Sequence, residues 1–321
     1  MIKIDAVIPW VDGNDPVLNS KRAAYSSSGE LDCPSIGGKS RYANLGEIFW
    51  CVFSLNRFAS FINKIFIVTD GQDPRLEEQL KPYFPEGIIP MEIVDHKDIF
   101  KGYEEYLPVF NSRAIETMIW RIPGLNEHFL LLNDDFLVIN PVSPEDFFSP
   151  EGMVICYGRK FSTGFAKILR KLKPKRNNRE VVTFKSSMLA SQQILGGGSY
   201  FIYLVHTPRP LLKSFFERFF FEHPECIERN IRHRFRDISQ FNMQELMYLS
   251  LIRKGQCRLI HSGLKDFYVT PKDKRDYIPK KLQKMDKGHY LFCCFNSLDL
   301  AGEEDRKLVL DWVRDRLGFN Q

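Results

Sequence analysis

Residues 129–140 read FLLLNDDFLVIN: an apolar run of strand character breaks at two adjacent carboxylates, Asp134 and Asp135, and then turns apolar again. Burial makes each charge costly, and two like charges side by side cost more. Successive side chains on a strand point to opposite faces, so both acids can approach one ligand only where the strand ends and the chain turns. Two readings follow. A hard dication such as Mg²⁺ would offset the repulsion, because it commonly takes one or two carboxylates together with phosphate oxygens. Alternatively, one carboxylate caps a turn and the other is solvated.

Outward from this stretch, β-rich apolar runs recur at 4–11, 64–69, 91–94, 128–132, 153–156 and 200–205. Helical patterns lie between several of them. In LGEIFWCVFSLNRFASF, Ile48, Val52, Leu55 and Ala59 share a face, and Asn44 and Glu47 have capping-box spacing. In SRAIETMIWRI, Ile115, Met118, Ile119 and Ile122 recur at helical spacing before Pro123-Gly124 ends the helix. Strands alternating with helices predict an α/β fold, a mostly parallel sheet with helices on both faces. In such sheets ligands sit beyond the carboxyl ends of the strands. Four runs end in polar turns: VIPW-VDGNDP, FIVT-DGQDP, FLLL-NDDF, and FIYLV, which ends at His206. Four ends of this kind predict one shared site, although Asp and Gly also simply make good loops.

The 321 residues, 44% hydrophobic, can bury a sizeable core. A net charge of +5 suits anionic small ligands or surfaces without demanding nucleic acid, and no nucleic-acid-binding motif is present. The opening MIKIDAVIPW meets Asp5 early and lacks the pattern of a cleaved signal peptide. The longest apolar tract, 194–205, is broken by Gly196, Gly197 and Gly198 and falls short of the ~20 residues a spanning helix needs. Seven scattered cysteines without a Cys-x-x-Cys pair point to a reducing, cytoplasmic setting, with Cys293 and Cys294 as buried thiols.

Two stretches stand apart. Residues 158–199 contain KILRKLKPKRNNRE, with seven basic residues from Lys167 to Arg179 and no acid among them, which reads as a mobile basic insertion. Residues 209–222, RPLLKSFFERFFFE, put Leu211, Leu212, Phe215, Phe216, Phe219 and Phe220 on one helical stripe, a core face or a membrane-surface face.

Asp12, Asp15 and Asp70 add acceptors at neighbouring strand ends, suited to ribose hydroxyls, a base edge or water around a metal. No Gly-x-Gly-x-x-Gly turn is present, so a nucleotide would be held differently from NAD in a dehydrogenase. His206, with an ordinary pKa near ~6.5, could take a proton from a hydroxyl. Arg232, Arg234 and Arg236 offer guanidinium forks for phosphate oxygens, or form a solvated basic face.

The stretches IDAVIPWVDGNDP, SRYANLGEIFWCVFSLNRFASFINKIFIVTDGQ, LPVFNSRAIETMIWRIPGLNEHFLLLNDDFLV and the block from HTPRP to RFRDISQFNMQELMYL resemble, in that order, the four conserved regions of the Stealth family. This family holds bacterial capsular polysaccharide phosphotransferases. The resemblance implies a Rossmann-like glycosyltransferase-type fold and transfer of a hexose-1-phosphate from a UDP-sugar, such as UDP-GlcNAc, to a sugar hydroxyl, with UMP leaving. It also implies site residues: Asp12 in the first block, Arg41, Glu47 and Asp70 in the second, Asp134 and Asp135 in the third, His206 and Arg236 in the fourth. Ala43 stands where a second arginine is common.

On that resemblance, Mg²⁺ (or Mn²⁺) on Asp134 and Asp135 would neutralise the diphosphate, Arg41 and Arg236 would hold its oxygens, and His206 would deprotonate the acceptor hydroxyl. Asp12, Glu47 and Asp70 would bind substrate. The implied partners are a nucleotide-sugar donor and an oligosaccharide or capsular polysaccharide acceptor, with peripheral contact at the inner face of the cell membrane. The expected organisation is a nucleotide-sugar-binding core over 1–157, the basic insertion over 158–199 and the rest of one catalytic unit over 200–321. Rival readings are a metal-dependent glycosyltransferase that releases UDP, and an inactive nucleotide-sugar-binding scaffold. Residues 256–321 carry no motif that assigns them a role.

Overall fold

The computed structural model describes residues 2–26, 38, 42–164, 183–261, 263–271 and 276–319. Four apolar runs become β1 (Ile4–Pro9), β2 (Ile62–Thr69), β3 (Met91–Asp95) and β4 (His128–Leu131). They pair in parallel in the order β3-β2-β1-β4. β1 is the central strand, and every residue but its last is buried, which is why it reads as a continuous apolar run rather than an alternating one. Its one charge, Asp5, is fully buried and hydrogen-bonded. Oδ1 accepts from Asn63 Nδ2 at 2.8 Å, and Oδ2 accepts from the backbone N and Nδ2 of Asn126.

The remaining strands depart from a simple extension of that sheet. The strands are β5 (Phe136–Val138), β6 (Val154–Ser162), β7 (Tyr200–Leu204), β8 (Arg209–Leu212), β9 (Cys257–His261), β10 (Asp266–Val269) and β11 (Phe292–Phe295). β8 joins the main sheet antiparallel to β4. A second sheet runs β10-β11-β5 and a third β7-β6-β9. The strand that leads to His206 therefore lies outside the main sheet. Segment 158–199 is, at its two ends, part of the fold: β6 runs on to Ser162, and a helix spans Phe184–Ile194. The basic run Lys167–Arg179 lies outside the described residues.

Two local expectations are corrected. The helix after 42–46 begins at Glu47 with Gly46 as N-cap, and no side chain caps it. Asn44 Oδ1 instead accepts from Gly46 N, and the Glu47 carboxylate accepts from Leu45 N, so the paired side chains brace the approach to the helix. In 209–222 the helix starts only at Lys213, because Arg209–Leu212 is claimed by β8. Phe215, Phe216, Phe219 and Phe220 are buried in the core, as a core-facing stripe requires. The helix Ser112–Met118 forms as expected, capped by Asn111, whose Oδ1 accepts from Arg113 N. No helix among the described residues is long and apolar enough to cross a membrane.

Candidate active site

Beyond the carboxyl ends of β1, β2 and β4 lies a cavity of about 180 Å³, lined by Trp10, Asp70, His96, Glu116, Asp134 and Arg236 among others. This is where a doubly wound sheet places its ligand. Trp10 follows β1, and its backbone N donates to Val68 O at 2.9 Å, which ties the β1 end to β2. Its indole Nε1 is buried without a partner. Asp70 follows β2 and accepts from Lys21 Nζ at 2.8 Å.

The VDGND turn shapes the cavity rather than lining it with its acids. Asp12 Oδ1 accepts from Asn14 N, and Asp15 caps the helix Pro16–Tyr25 by accepting from Val17 N. Gln72 closes the turn, its Oε1 accepting from Asp12 N and its Nε2 donating to Asp12 O and Asp15 Oδ2. Gly13 lies so close to Tyr42 that an added Cβ would stand 1.9 Å from the Tyr42 carbonyl oxygen. Tyr42 lines the cavity and donates its hydroxyl to Phe110 O at 2.6 Å.

Of the four arginines in RNIRHRFRD, Arg236 alone lines this cavity, and Arg229 donates its Nε to Ser239 O. It donates Nη2 to Ser112 Oγ at 2.9 Å and faces the Glu116 carboxylate. Arg234 is spent on the carbonyls of Glu105 and Leu107, and Arg232 is exposed beside His233. Sequence reasoning missed Glu116, which accepts from Gln244 Nε2 at 2.7 Å. Its signal was available: Ser112 and Glu116 are one helical turn apart, on one face of the helix. It also missed His96, which is buried against the cavity with neither ring nitrogen partnered. Burial drives the His96 pKa down to about 4, against the opposing pull of Asp70 and Asp95.

The acidic pair divides. Asp134 lines the cavity, and burial, followed by the charges of Asp135 and Glu47, pushes its carboxyl well above the usual range. Glu47 itself is raised by burial and stands on the far side of Asp134, in a small apolar recess with Leu298, Val309 and Val313. Asp135 turns instead to His206 and Cys294, and the donor atoms of these three residues lie within 4.8 Å of one another. Asp135 Oδ2 accepts from Cys294 Sγ at 3.3 Å and from Asn296 Nδ2 at 3.4 Å. Cys294 arrives because β11 pairs with β5 directly after the acidic turn, placing Cys294 opposite Phe136.

Asp135 Oδ1 and His206 Nδ1 are both buried without a hydrogen-bond partner, and orphaned atoms of this kind mark the place of a water or ion. The residues therefore could hold a divalent cation. The grouped donors are an oxygen, a nitrogen and a sulfur, not the two carboxylates expected from NDD. A hard ion fits through the open Asp135 Oδ1, with phosphate and water oxygens completing its shell. Only a softer ion would engage the thiol as well.

His206 is enclosed by Phe136, Phe184 and Tyr268, with ring centroids 5.8, 6.1 and 4.6 Å away. The ordinary pKa expected for it does not hold. Burial lowers it to about 4, against the pull of Asp135, so the ring is neutral at pH 7. The structure thus brings Asp70, Asp134 and Arg236 to one cavity and groups Asp135 with His206 and Cys294. Asp12 and Glu47 lie outside the cavity, and Arg41 lies outside the described residues.

Residues 3–30 match the model of conserved region 1 of the Stealth proteins, and residues 41–155 match that of conserved region 2. The second and third stretches quoted from the sequence therefore both fall within one conserved region. The chain is 30% identical over 336 residues to the capsular polysaccharide phosphotransferase WcwK of Streptococcus pneumoniae, covering 95% of this chain and 93% of that one. It is 28% identical to the receptor polysaccharide phosphotransferase WefC of Streptococcus oralis, covering 98% and 96% of the two chains. The galactosyltransferase LgtC superposes with a TM-score of 0.45 at 11% identity over 98% of this chain and 95% of that one, a likeness too slight to carry an argument. On the conserved-region matches and the full-length similarity to WcwK, this chain belongs to the Stealth family and is a transferase.

Proposed function

We propose that this transferase moves a sugar-1-phosphate from a nucleotide-diphosphate sugar of the UDP class to a sugar hydroxyl of a capsular or cell-surface polysaccharide. The acceptor oxygen bonds to the phosphorus that carries the sugar, the bond from that phosphorus to the bridging oxygen breaks, and UMP leaves. The observation that carries the reading is the placement of the acidic pair: Asp134 lines the cavity that would take the donor, while Asp135 stands at His206. A donor in that cavity and a base at His206 would then meet at the acidic turn, where the attacking hydroxyl could approach the phosphorus opposite the leaving oxygen.

Arg236, its charge held beside Glu116, supplies donors to the diphosphate oxygens, and Arg41 acts with it. Asp70 and the turn carrying Asp12 hold the nucleoside end, and Glu47 backs the acidic pair. His206, kept neutral by burial, has a lone pair free for the hydroxyl proton, and Asp135 stabilises the imidazolium that results. A divalent cation, Mg²⁺ or Mn²⁺, held at the acidic turn through Asp135 Oδ1 would offset the charge of the diphosphate. Residues 1–157, 158–199 and 200–321 act as one cytoplasmic catalytic unit. The basic run Lys167–Arg179 would give it peripheral contact with the inner face of the membrane.

The test is to supply Mg²⁺, a panel of UDP-sugars and short acceptors to the purified protein and to quantify UMP and UDP separately. UMP formed in step with acceptor phosphorylation is the expected result. UDP in its place would mean glycosyl transfer, and neither product with retained UDP-sugar binding would mean a scaffold subunit.

A further inference from the structure

From His206 a path of rings and cations leads away from the donor cavity across one face of the β6–β7 pair. Arg159 on β6 lies opposite Tyr203 on β7, so the two side chains share a face. The Arg159 guanidinium stands 5.2 Å from the Tyr203 ring, and Lys185 Nζ, from the first turn of the helix Phe184–Ile194, stands 5.4 Å from the same ring. Phe184 is 6.3 Å from Tyr203 and 6.1 Å from His206, and Tyr268 closes the path against His206 at 4.6 Å. Arg159, Lys185 and Tyr268 are exposed. Neither cation meets a carboxylate among the described residues; each is positioned by a ring instead.

Rings that expose part of their surface beside unpaired cations suit a ligand with apolar ring faces and spaced negative charge. A guanidinium stacked on tyrosine still has N–H groups directed outward, ready for phosphate oxygens. A lipid surface would call for protruding apolar side chains, whereas Phe184 and Tyr203 are half-buried between the cations. We infer that this strip binds the acceptor, an oligosaccharide carrying phosphodiester charge: the phosphate meets Arg159 and Lys185 where Tyr203 positions them, a sugar stacks on the exposed Tyr268, and the terminal hydroxyl is delivered to His206. This rests on the reading above that His206 faces the acceptor.

The experiment compares two acceptors, a short GlcNAc oligomer joined by phosphodiesters and a neutral chitooligosaccharide of equal length, on the full chain and on an Arg159→Gln/Lys185→Gln double variant. Binding of each acceptor is titrated without donor, and UMP release is followed at saturating donor. Loss of two charge-assisted contacts should raise both the Kd and the KM for the phosphorylated acceptor about tenfold or more. The Kd of the neutral oligomer and the KM of the donor should stay within about twofold. Added salt should erase the wild-type preference for the charged acceptor. Equal loss for both acceptors, no loss, or a rise in donor KM alone would overturn the inference. If the wild type releases no UMP, the sugar-1-phosphate reading fails instead, while the binding titration still decides whether the strip takes the charged oligomer.

Discussion

Glu245 couples the stability of this fold to pH in a direction opposite to that of most carboxylates. It sits in the first turn of the helix Met243–Arg253 and is fully buried. Its Oε1 accepts from Ile202 N of β7 at 2.7 Å, whereas Oε2 is buried without a partner. Burial raises its pKa from 4.5 to about 8, so the folded protein carries it protonated at pH 7. Between these two values the folded state holds a proton that the unfolded chain has released, and stability falls as pH rises. At about 1.4 kcal/mol per pH unit, the loss amounts to roughly 3 kcal/mol between pH 5.5 and 8, and to about 5 kcal/mol over the whole window. A Glu245→Gln variant keeps an acceptor for Ile202 N and cannot ionise. Urea unfolding of both proteins across that range should therefore show the wild type losing about 3 kcal/mol relative to the variant by pH 8. Parallel profiles, or a relative gain with rising pH, would refute a protonated Glu245 and with it the account of how β7 is anchored.

His206→Ala should lower UMP release by about 10²- to 10⁴-fold with little change in donor affinity, measured by single-turnover kinetics beside a UDP titration; near-full turnover would remove it from the mechanism. Gly13→Ala must move the VDGND turn away from the Tyr42 carbonyl, where a Cβ would stand at 1.9 Å, so UDP affinity should drop by about tenfold or more while the thermal midpoint shifts by only a few degrees. Unchanged UDP binding would show that the turn does not shape the donor cavity. Cys294→Ser should leave Mg²⁺-supported turnover within about twofold, because a hard ion does not use a thiol. A large loss, restored only by a different divalent metal, would place a softer ion on Asp135, His206 and Cys294 together.

The readable parts of the fold were those whose signal is local. The runs that became β1 to β4 announce themselves through β-branched and aromatic residues, and their polar ends through turn chemistry, so the position of the cavity followed from strand ends alone. Asp70, Asp134 and Arg236 were all named before the cavity they line. Glu116 was legible in principle, as a polar residue one turn from Ser112. By contrast, nothing near His96 sets it apart in the sequence, because its distinguishing property is the loss of water around its ring.

By itself, the sequence determined the runs that became β1 to β4, β6 and β7, which turns carry acid, and which blocks resemble those of a transferase family. Tertiary structure alone decided that β7 leaves the main sheet, that Asp134 and Asp135 look to different neighbours, and that Cys294 reaches Asp135 across 159 positions of chain. Tertiary structure also decided the protonation of His206 and Glu245. The reason is common to all of these: local pattern specifies a strand but not its partner, and a side chain's charge depends on how much water the fold removes from it, which no neighbouring residue in sequence encodes.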